Sequence, residues 1–506
     1  MAMAKRPRTL LAVALASIVI FFLTFQSRDV ITEKIGRPDV FKSGKSDKTE
    51  LPPNVHAQPT LATDAHMFPT ADSYIQSGHF KAVTRIKGIT IQEAKKTCTW
   101  PNLDEVDFQY EKDVDWVVKD RNNSEIEERR ALWHKYIEND FIPYYKVKDK
   151  FKGRGLVIVA GNHDTLMRVR VILRQLNKLE SDIAIELHYW DDEMSEETRK
   201  ELEAMYKNLH FNDLSDKSPE GQNIIHIRKD GPFINFQLKT ASLINSRFAE
   251  PLLLDSDNVP VIDPSTLYDS PTYKEYGTVF WPDIARSWPQ NPAWAITNTP
   301  CRMDEWEQES GQLMVDKRRY WYHLQLASWL NNEQGTYYNQ FLLGDKDMFR
   351  FAWHALRTDY GKPKKWLTSV GNENDGYYCG HSFAQHEPDG DRVAFLHGGL
   401  MKSTALEVMK WNKEEKGGYF RHYKRADTDE DPSVNVKVGI KFDGADYKPN
   451  HTDKFKVAMC TDMFDVKVRD VNEILPGWEK HFEEIGGFWQ LEQVEKEEKQ
   501  AKEKKD

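Results

Sequence analysis

Cysteine is scarce in this chain of 506 residues, which contains four. Cys98, Cys301, Cys379 and Cys460 lie far apart, and no Cys-x-x-Cys pair occurs. This spacing argues against a zinc site built from the usual thiolate ligands. In an oxidising compartment the four residues can form one or two long-range disulfides, and the sequence leaves their pairing open.

An excess of positive charge is also absent. The formal net charge is −10 at pH 7. Charge of this sign, spread through the sequence, argues against a general nucleic-acid-binding protein. No internal repeat stands out either. The length and the 39% hydrophobic content fit one large α/β unit with extensions, or roughly two to four domains.

One long apolar run lies near the N-terminus, from Leu10 to Phe25, after Lys5, Arg6 and Arg8. With its flanks it reaches the short end of the roughly 17–25 residues that span a bilayer. Basic residues before the run predict a cytoplasmic N-terminus. A cleaved signal peptide is the alternative, but no small-x-small site follows Phe25. We therefore expect an uncleaved anchor, and either interpretation places the rest of the chain in the secretory lumen.

Composition predicts the segments that follow the anchor. From Ser27 to about Phe80 the chain is rich in Pro, Ser, Thr, Lys and Asp without an apolar period, which is typical of a flexible stem. The last stretch, from Gln493, is nearly all Lys, Glu and Gln. The predicted segments are a cytoplasmic tail (1–8), a transmembrane signal anchor (9–26), a stem (27–85), a lumenal domain (86–480) and a charged C-terminal tail (481–506).

An α/β pattern begins at Gly155. Gly155–Ala160 reads as a buried strand, Met167–Leu179 as a helix and Ile183–Trp190 as a second strand. These elements form a βαβ unit whose crossover should be right-handed. Phe233–Phe248 reads as a further helix, and it leads into the apolar strand Leu252–Leu254.

Two aspartates follow that strand at once, Asp255 and Asp257. In open α/β sheets, ligands bind beyond the carboxyl ends of the strands. The i, i+2 spacing lets both carboxylates share one hard divalent cation, which could hold a substrate diphosphate. The alternative is a turn in which the side chains only bond their own backbone.

Further candidate residues follow downstream. Glu309 and Gln312 belong to a polar turn that runs into a buried strand, where Gly311 would let a ligand approach the backbone. Asp345 begins a predicted helix, so helix capping is an alternative role for it. His397 follows an apolar strand and can supply an imidazole ligand to the same cation. Lys402 can meet a phosphate as a point charge.

These motifs, taken in order, resemble nucleotide-sugar glycosyltransferases of the GT-A fold, and more closely the fungal Golgi α-mannosyltransferases of glycosyltransferase family 71. The resemblance covers residues 155–402, roughly half of the chain. The motifs that carry it are GLVIVAGNHDTLMRV, LLLDSDN, FWPD, ESGQLMVDK, GDKDMF and FLHGG. It implies a Rossmann-like mixed sheet flanked by helices in the lumenal domain, behind an N-terminal membrane anchor and a stem.

The resemblance also implies an activity. It implies a single-pass type II Golgi membrane enzyme that transfers mannose from GDP-mannose with retention, uses Mn²⁺, and works within a Golgi transferase complex. The implied acceptor is a mannose-terminated oligosaccharide or glycoprotein, either an N-glycan outer chain or a mannan branch. Among family members the sequence looks nearer the α-1,2 type than the α-1,3 type. No nucleic-acid partner is expected.

The resemblance also implies roles for the residues named above and for two further residues, Gly161 and Asn162. Asp257 and His397 would bind the metal, and Asp255 would bind the metal or the donor ribose. Lys402 would contact the diphosphate. The catalytic candidates that face the donor sugar or the acceptor would be Glu309, Gln312 and Asp345. The residues that line the nucleotide pocket would be Gly161 and Asn162.

Three alternatives remain open from the sequence. The haloacid-dehalogenase phosphatases also place Asp-x-Asp after a strand, with the first aspartate as nucleophile. They usually carry the motif on the first strand, whereas a whole βαβ unit precedes Asp255 here. A lumenal glycan-binding protein without catalytic activity is the second alternative. A transferase that uses another nucleotide sugar is the third.

Overall fold

The structure of the chain is a computed structural model that describes residues 68–98, 121–227, 234–302, 305–342, 344–398, 404–426, 438–441, 460–463 and 466–503. The predicted cytoplasmic tail, the anchor and most of the predicted stem lie outside these residues, and so does Lys402. Among the described helices, none has the length and apolar character needed to cross a membrane.

Along the chain, the described helices lie before, between and after the strands. In chain order they are α1 (Ala71–Gln76), α2 (Gly78–Val83), α3 (Ile91–Lys96), α4 (Asn123–Asn139), α5 (Tyr144–Val147), α6 (His163–Lys178), α7 (Glu196–Met205), α8 (Ile234–Asn245), α9 (Pro271–Tyr276), α10 (Pro292–Ile296), α11 (Lys317–Asn332), α12 (Gly335–Tyr338), α13 (Lys346–Ala355), α14 (Leu406–Glu415), α15 (Trp478–Glu484) and α16 (Trp489–Glu503).

The described strands fall into two sheets. In chain order they are β1 (Arg154–Val159), β2 (Ile185–Tyr189), β3 (Leu209–Asp213), β4 (Glu250–Leu254), β5 (Asn258–Pro260), β6 (Thr278–Pro282), β7 (Gln308–Val315), β8 (Thr368–Asn374), β9 (Tyr377–His386), β10 (Val393–Gly398), β11 (His422–Lys424), β12 (Val438–Lys441), β13 (Cys460–Met463) and β14 (Arg469–Asp470).

The first sheet has six strands in the order β3-β2-β1-β4-β7-β6. Strands β1 to β4 are parallel, while β7 runs antiparallel to β4 and β6 antiparallel to β7. Leu156 of β1 lies between Ile185 and Leu252, and all three are fully buried. Continuous apolar runs of this kind suit strands covered on both faces. The predicted α/β class with a Rossmann-like, mostly parallel sheet is therefore confirmed.

The second sheet is antiparallel, and all of its strands except β5 follow the first sheet along the chain. Its main path is β12-β13-β9-β8-β11-β14, and β10 pairs with β9 on one side and with β5 on the other. Strand β5 begins only four residues after β4 ends. The chain therefore leaves the parallel sheet through the Asp-x-Asp loop and joins the antiparallel sheet at once.

Helices α8, α11 and α13 cover one face of the first sheet and contribute to its largest apolar core. The end of α8 is fixed by a lysine with no exposed surface. Lys317 Nζ donates to the carbonyl oxygens of Ile244 (3.3 Å) and Ser246 (2.7 Å). The amino group thereby satisfies carbonyl acceptors that the end of the helix leaves open.

Ordered structure extends beyond both ends of the predicted lumenal domain, whose bounds stay a prediction. Helices α1 and α2 lie within the predicted stem, yet Tyr74 is buried and its hydroxyl donates to the carbonyl of Leu356 at 2.6 Å. In the predicted charged tail, Phe482, Phe488 and Trp489 are buried in a core of the second sheet. These aromatic residues bury enough apolar surface to order segments whose average composition is polar.

Two disulfides join the four cysteines. Cys98 pairs with Cys301, and Cys379 with Cys460, with Cα–Cα distances of 5.1 and 4.7 Å. The first fixes the end of α3 to the segment that precedes β7, and the second connects β9 with β13. The sequence had left this pairing open.

Candidate metal centre

The Asp-x-Asp pair lies at the carboxyl end of β4, as predicted. The backbone N–H of Asp255 donates to Gly311 O at 2.8 Å, so the first aspartate extends the pairing of β4 with β7. Asp257 lies deeper, with 2% of its surface exposed. The backbone N–H of Asn258 donates to Asp255 O at 3.0 Å and closes the loop. The two carboxylates are thus held on a short backbone segment that is bonded at both ends.

Strand pairing brings His397 to the same place. His397 lies within β10, rather than after it, directly opposite Asn258 of β5. The backbone N–H of Gly398 donates to Asp257 O at 3.3 Å. Because β5 follows the aspartates immediately, this antiparallel register sets the imidazole beside them.

The three side chains form the candidate metal centre. One ligand atom from each of Asp255, Asp257 and His397 lies within 4.8 Å of the other two. His397 Nε2 is 3.3 Å from Asp257 Oδ1 and 4.0 Å from Asp255 Oδ2. Two carboxylate oxygens and one imidazole nitrogen are donors that suit Mn²⁺ or a similar divalent cation.

Glu309 contacts the second nitrogen of the His397 imidazole. Its Oε2 lies 3.4 Å from His397 Nδ1, and its Oε1 accepts the backbone N–H of Gly311 at 2.7 Å. Burial alone would lower the pKa of His397, but the carboxylates of Glu309 and Asp257 raise it to about 10. Burial would raise the pKa of Glu309, and the imidazolium and hydrogen bonds lower it to about 2. A carboxylate behind a ligating histidine is the usual way to orient such a ring.

Gly311 makes room for this arrangement. A Cβ on Gly311 would lie 2.5 Å from His397 Nδ1 and 2.6 Å from its Cε1, closer than side chains approach one another. The predicted polar turn at this position is a bulge inside β7 instead. The register of β7 against β6 shifts between Glu309 and Leu313, so that the residues between them protrude. The bulge aims Glu309 at His397 while the strand continues.

Lys239 joins the site from α8, and the motif analysis missed it. Its Nζ lies 2.9 Å from Asp255 Oδ2 and 3.3 Å from Asp345 Oδ1, and it donates to Ser310 Oγ at 3.2 Å. Burial alone would lower the pKa of Lys239, but Asp255 and Asp345 raise it above its usual value. The lysine is therefore a fixed positive charge next to the first aspartate.

Asp345 does not cap its helix. It precedes α13, and its side chain makes no capping hydrogen bond there. It is 2% exposed, and burial raises the pKa of its carboxyl although Lys239 opposes the shift. The site thus contains four carboxylates and two cationic side chains. The carboxylates are those of Asp255, Asp257, Glu309 and Asp345, and the cations are Lys239 and protonated His397. The local excess of negative charge favours a cation.

Gln312 lies beneath the site and is fully buried. Its side-chain oxygen accepts a hydrogen bond from the amide of Asn258, which also donates to Gly311 O at 2.9 Å. In this position Gln312 fixes the backbone around Asp257. Its expected contact with donor sugar or acceptor stays a prediction, as do those of Glu309 and Asp345.

The two residues expected to line the nucleotide pocket follow β1. Ile158 of β1 pairs with Leu254 of β4, so Gly161 stands at the same sheet edge as the aspartates. Asn162 is the N-cap of α6, where its side-chain oxygen accepts the Thr165 N–H at 3.1 Å. The helix N-terminus at this edge favours anionic groups. Lys402, the expected diphosphate contact, lies outside the described residues.

Comparison with known proteins finds a family model that matches the region of these residues. A family model described as "Mannosyltransferase putative" matches residues 153–305 and 301–387, which contain the Asp-x-Asp loop, β7 and α13. Over residues 153–387 the chain is therefore similar to this mannosyltransferase family.

The curated relatives that the chain matches come from fungi. Alpha-1,2-mannosyltransferase MNN22 of Candida albicans is 25% identical over 295 residues, which cover 48% of each chain. Alpha-1,2-mannosyltransferase MNN2 of the same organism is 23% identical over 362 residues, covering 60% of this chain and 58% of its own. The chain spans about half the length of the curated relatives it matches. A crystal structure of galactosyltransferase LgtC with donor and acceptor sugar analogues aligns over 39% of this chain and 69% of its own, at 18% identity and a TM-score of 0.27.

Proposed function

We propose that the protein transfers mannose from GDP-mannose to a mannose-terminated glycan, with retention and with formation of an α-1,2 linkage. The match of residues 153–387 to a family model described as "Mannosyltransferase putative" supports the transferred sugar. The names of the relatives, which are alpha-1,2-mannosyltransferases, support the linkage. The observation that carries the proposal is the convergence of Asp255, Asp257 and His397 at the carboxyl end of a nucleotide-type sheet.

The residues present fit a divalent cation, with Mn²⁺ as the proposed one. Asp255, Asp257 and His397 would hold it, since their ligand atoms already lie within 4.8 Å of one another. When bound, such a cation neutralises negative charge on a diphosphate leaving group. Glu309 would keep Nε2 of His397 directed at the aspartates, because its carboxylate lies 3.4 Å from the opposite ring nitrogen.

Lys239 and Lys402 would supply the fixed positive charges around the donor. Lys239 lies between Asp255 and Asp345, so it keeps two carboxylates in place and is also a donor near the expected diphosphate. Positive groups that are already oriented stabilise developing charge without reorganisation. An acceptor hydroxyl held close to the sugar would be favoured over water as nucleophile.

The same proposal extends to fold family and location. The parallel sheet with the Asp-x-Asp loop at the end of β4 supports a GT-A transferase domain. The apolar run 9–26 supports a type II anchor in the Golgi membrane, and the two disulfides support a lumenal, oxidising environment. An α-1,3-mannosyltransferase, or a transferase for another nucleotide sugar, is the nearest alternative.

Mass spectrometry of an acceptor oligosaccharide tests the proposal. The purified lumenal domain is incubated with Mn²⁺, a mannose-terminated oligosaccharide and a panel of nucleotide sugars. A gain of one hexose from GDP-mannose is expected, and the linkage is then read by specific α-mannosidases. Release of inorganic phosphate that depends on Asp255 would indicate a phosphatase. An acceptor that binds but stays unchanged with every donor would indicate a glycan-binding protein.

A single substitution connects this activity with the candidate metal centre. Asp257→Asn keeps the side-chain volume and removes the charge, so metal-dependent donor binding and turnover should be lost while the fold is retained. Asp269→Asn is the matched control, because Asp269 is an exposed acid paired with Lys274 at 3.3 Å. Wild-type turnover of Asp257→Asn in the presence of a chelator would contradict the assignment.

A further inference from the structure

A second cavity lies next to the candidate metal centre. Its volume is about 250 Å³, and its walls include Trp306, Gln308, Tyr360 and Trp366. It borders the end of β6, which lies at the same sheet edge as the aspartates. Pockets for drug-sized ligands measure roughly 300–1,000 Å³, so this cavity has the size for a single sugar ring.

Adjacent residues in two elements connect this cavity with the metal centre. In β7, Gln308 lines the cavity while Glu309 contacts His397. At the start of α13, Asp345 contacts Lys239 of the metal centre, while Lys346 binds Glu307 in the cavity wall. The wall of the cavity and the candidate metal centre therefore share β7 and the start of α13.

The buried charges in the cavity wall are already paired. Glu307 accepts from Lys346 Nζ at 2.9 Å and from Ser287 Oγ at 2.8 Å. Glu305 contacts His354 Nε2 at 2.8 Å, and Arg350 donates to Asp347 at 2.9 Å. Buried ions that have their partners offer no net charge to a ligand. The wall also contains Lys362 and Lys364, whose side chains are exposed to solvent, and Lys365, which pairs with Asp391 at 2.7 Å. The interior of the cavity therefore suits a neutral polar molecule.

Two neutral polar groups in the wall have no partner in the described part of the chain. Gln308 is 2% exposed, and neither its side-chain oxygen nor its nitrogen makes a hydrogen bond. The indole N–H of Trp306 is also buried without an acceptor. The ring of Trp306 is fixed by Trp366, stacked at 4.3 Å, and by the Arg286 guanidinium at 3.7 Å. Buried polar groups are normally satisfied, and these two belong to residues that line the cavity, so a ligand bound there would supply the missing partners.

We propose that this cavity binds the terminal sugar of the acceptor glycan. The Gln308 carboxamide offers both a donor and an acceptor to sugar hydroxyls, which themselves can donate and accept. The Trp306 N–H adds a donor of fixed direction. This inference rests on the proposed function and adds to it the place where the acceptor is held.

The test compares acceptor and donor kinetics in conservative variants. Gln308→Met keeps the shape of the side chain and removes its hydrogen bonds, so the KM for the acceptor should rise roughly tenfold. Trp306→Phe should raise the same KM about threefold, since one hydrogen bond is lost. The KM for GDP-mannose should stay unchanged in both variants. The Tm of Gln308→Met should stay equal or rise, because an unpaired buried amide is replaced by an apolar group.

Tyr338→Phe is the matched control, since the Tyr338 hydroxyl is also buried without a partner but belongs to α12. It should leave both KM values unchanged. A wild-type KM for the acceptor in Gln308→Met would overturn the inference, and so would equal losses of donor and acceptor binding. If the wild-type protein transfers no hexose at all, the proposed function itself fails, which is a distinct result.

Discussion

Gly311→Ala should weaken metal binding without changing any candidate ligand. The added Cβ would lie 2.5 Å from His397 Nδ1 and 3.1 Å from its Cγ. The backbone of His397 is paired with β5 and with β9, so it cannot retreat. The imidazole must therefore rotate away from Glu309, and its 3.3 Å contact with Asp257 is lost.

The size of this effect follows from the roles of the displaced groups. Disturbing the groups that orient a ligand costs about 10–100-fold in metal affinity. At a Mn²⁺ concentration of 100 times the wild-type Kd, binding stabilises the native protein by about 2.7 kcal/mol. A tenfold weaker variant at the same concentration would gain only about 1.4 kcal/mol. Overpacking adds a loss of roughly 1–3 kcal/mol that does not depend on metal.

Thermal unfolding with and without Mn²⁺ separates the two contributions, and isothermal titration gives the Kd directly. Gly78→Ala is the matched control, because a Cβ on Gly78 meets no atom within 4 Å. It should leave the metal-dependent rise in Tm intact. If Gly311→Ala bound Mn²⁺ with wild-type affinity, the contact between β7 and His397 would not orient the ligand, and the reasoning would be refuted.

Three further predictions concern charge, pH and covalent links. Lys239→Met frees a carboxylate oxygen of Asp255, so Mn²⁺ should bind roughly tenfold more tightly while kcat falls; a looser metal site by titration would contradict this. Burial lowers the pKa of His386 from its ordinary value to about 4. The contribution of neutral His386 to the free energy of unfolding is therefore fully present above about pH 6.5 and is lost as the pH falls towards 4. Urea unfolding should show a loss of about 3 kcal/mol over that range, and His386→Gln should flatten it. Replacing Cys379 and Cys460 by serine opens a link across 81 residues and should cost about 4–5 kcal/mol; an unchanged Tm would show that the link does not limit the unfolded chain.

The parallel strands could be predicted because their signal is local. Leu156, Ile158 and Leu254 lie in short apolar runs next to polar turns, and such runs specify strands that are buried on both faces. The aspartates were predictable for the same reason, since they come directly after one of these runs.

The remaining site residues depend on contacts that are distant in sequence. Lys239 is a single lysine on α8, and nothing near it indicates that its ammonium group meets Asp255. The placement of His397 depends on the register of β10 against β5. Gly311 resembles a turn residue, but pairing of β7 on both sides turns it into a bulge. Register and packing of this kind are set by the whole fold rather than by local pattern.

The ordered segments outside residues 86–480 could not be predicted, for a different physical reason. Helices α1 and α2 have six residues each, too short for a helical period to stand out from composition. Their order comes from a few aromatic side chains such as Tyr74, which packs against His323 with ring centroids 4.8 Å apart. Such contacts cannot be predicted from the sequence without knowledge of the surface against which the aromatic ring packs.

The passage of the chain from β4 through Asp255 and Asp257 into β5 has a consequence for folding. The two carboxylates are set by the parallel sheet and the imidazole by the antiparallel one, so the centre cannot form until both sheets have docked. Contacts between residues so distant in sequence tend to form late and slowly. A substitution that loosens β9 or β10 far from the aspartates should therefore abolish cation binding as completely as loss of a ligand. Screens for inactive alleles should recover both kinds, and raising the Mn²⁺ concentration should rescue only those in which the ligands are intact.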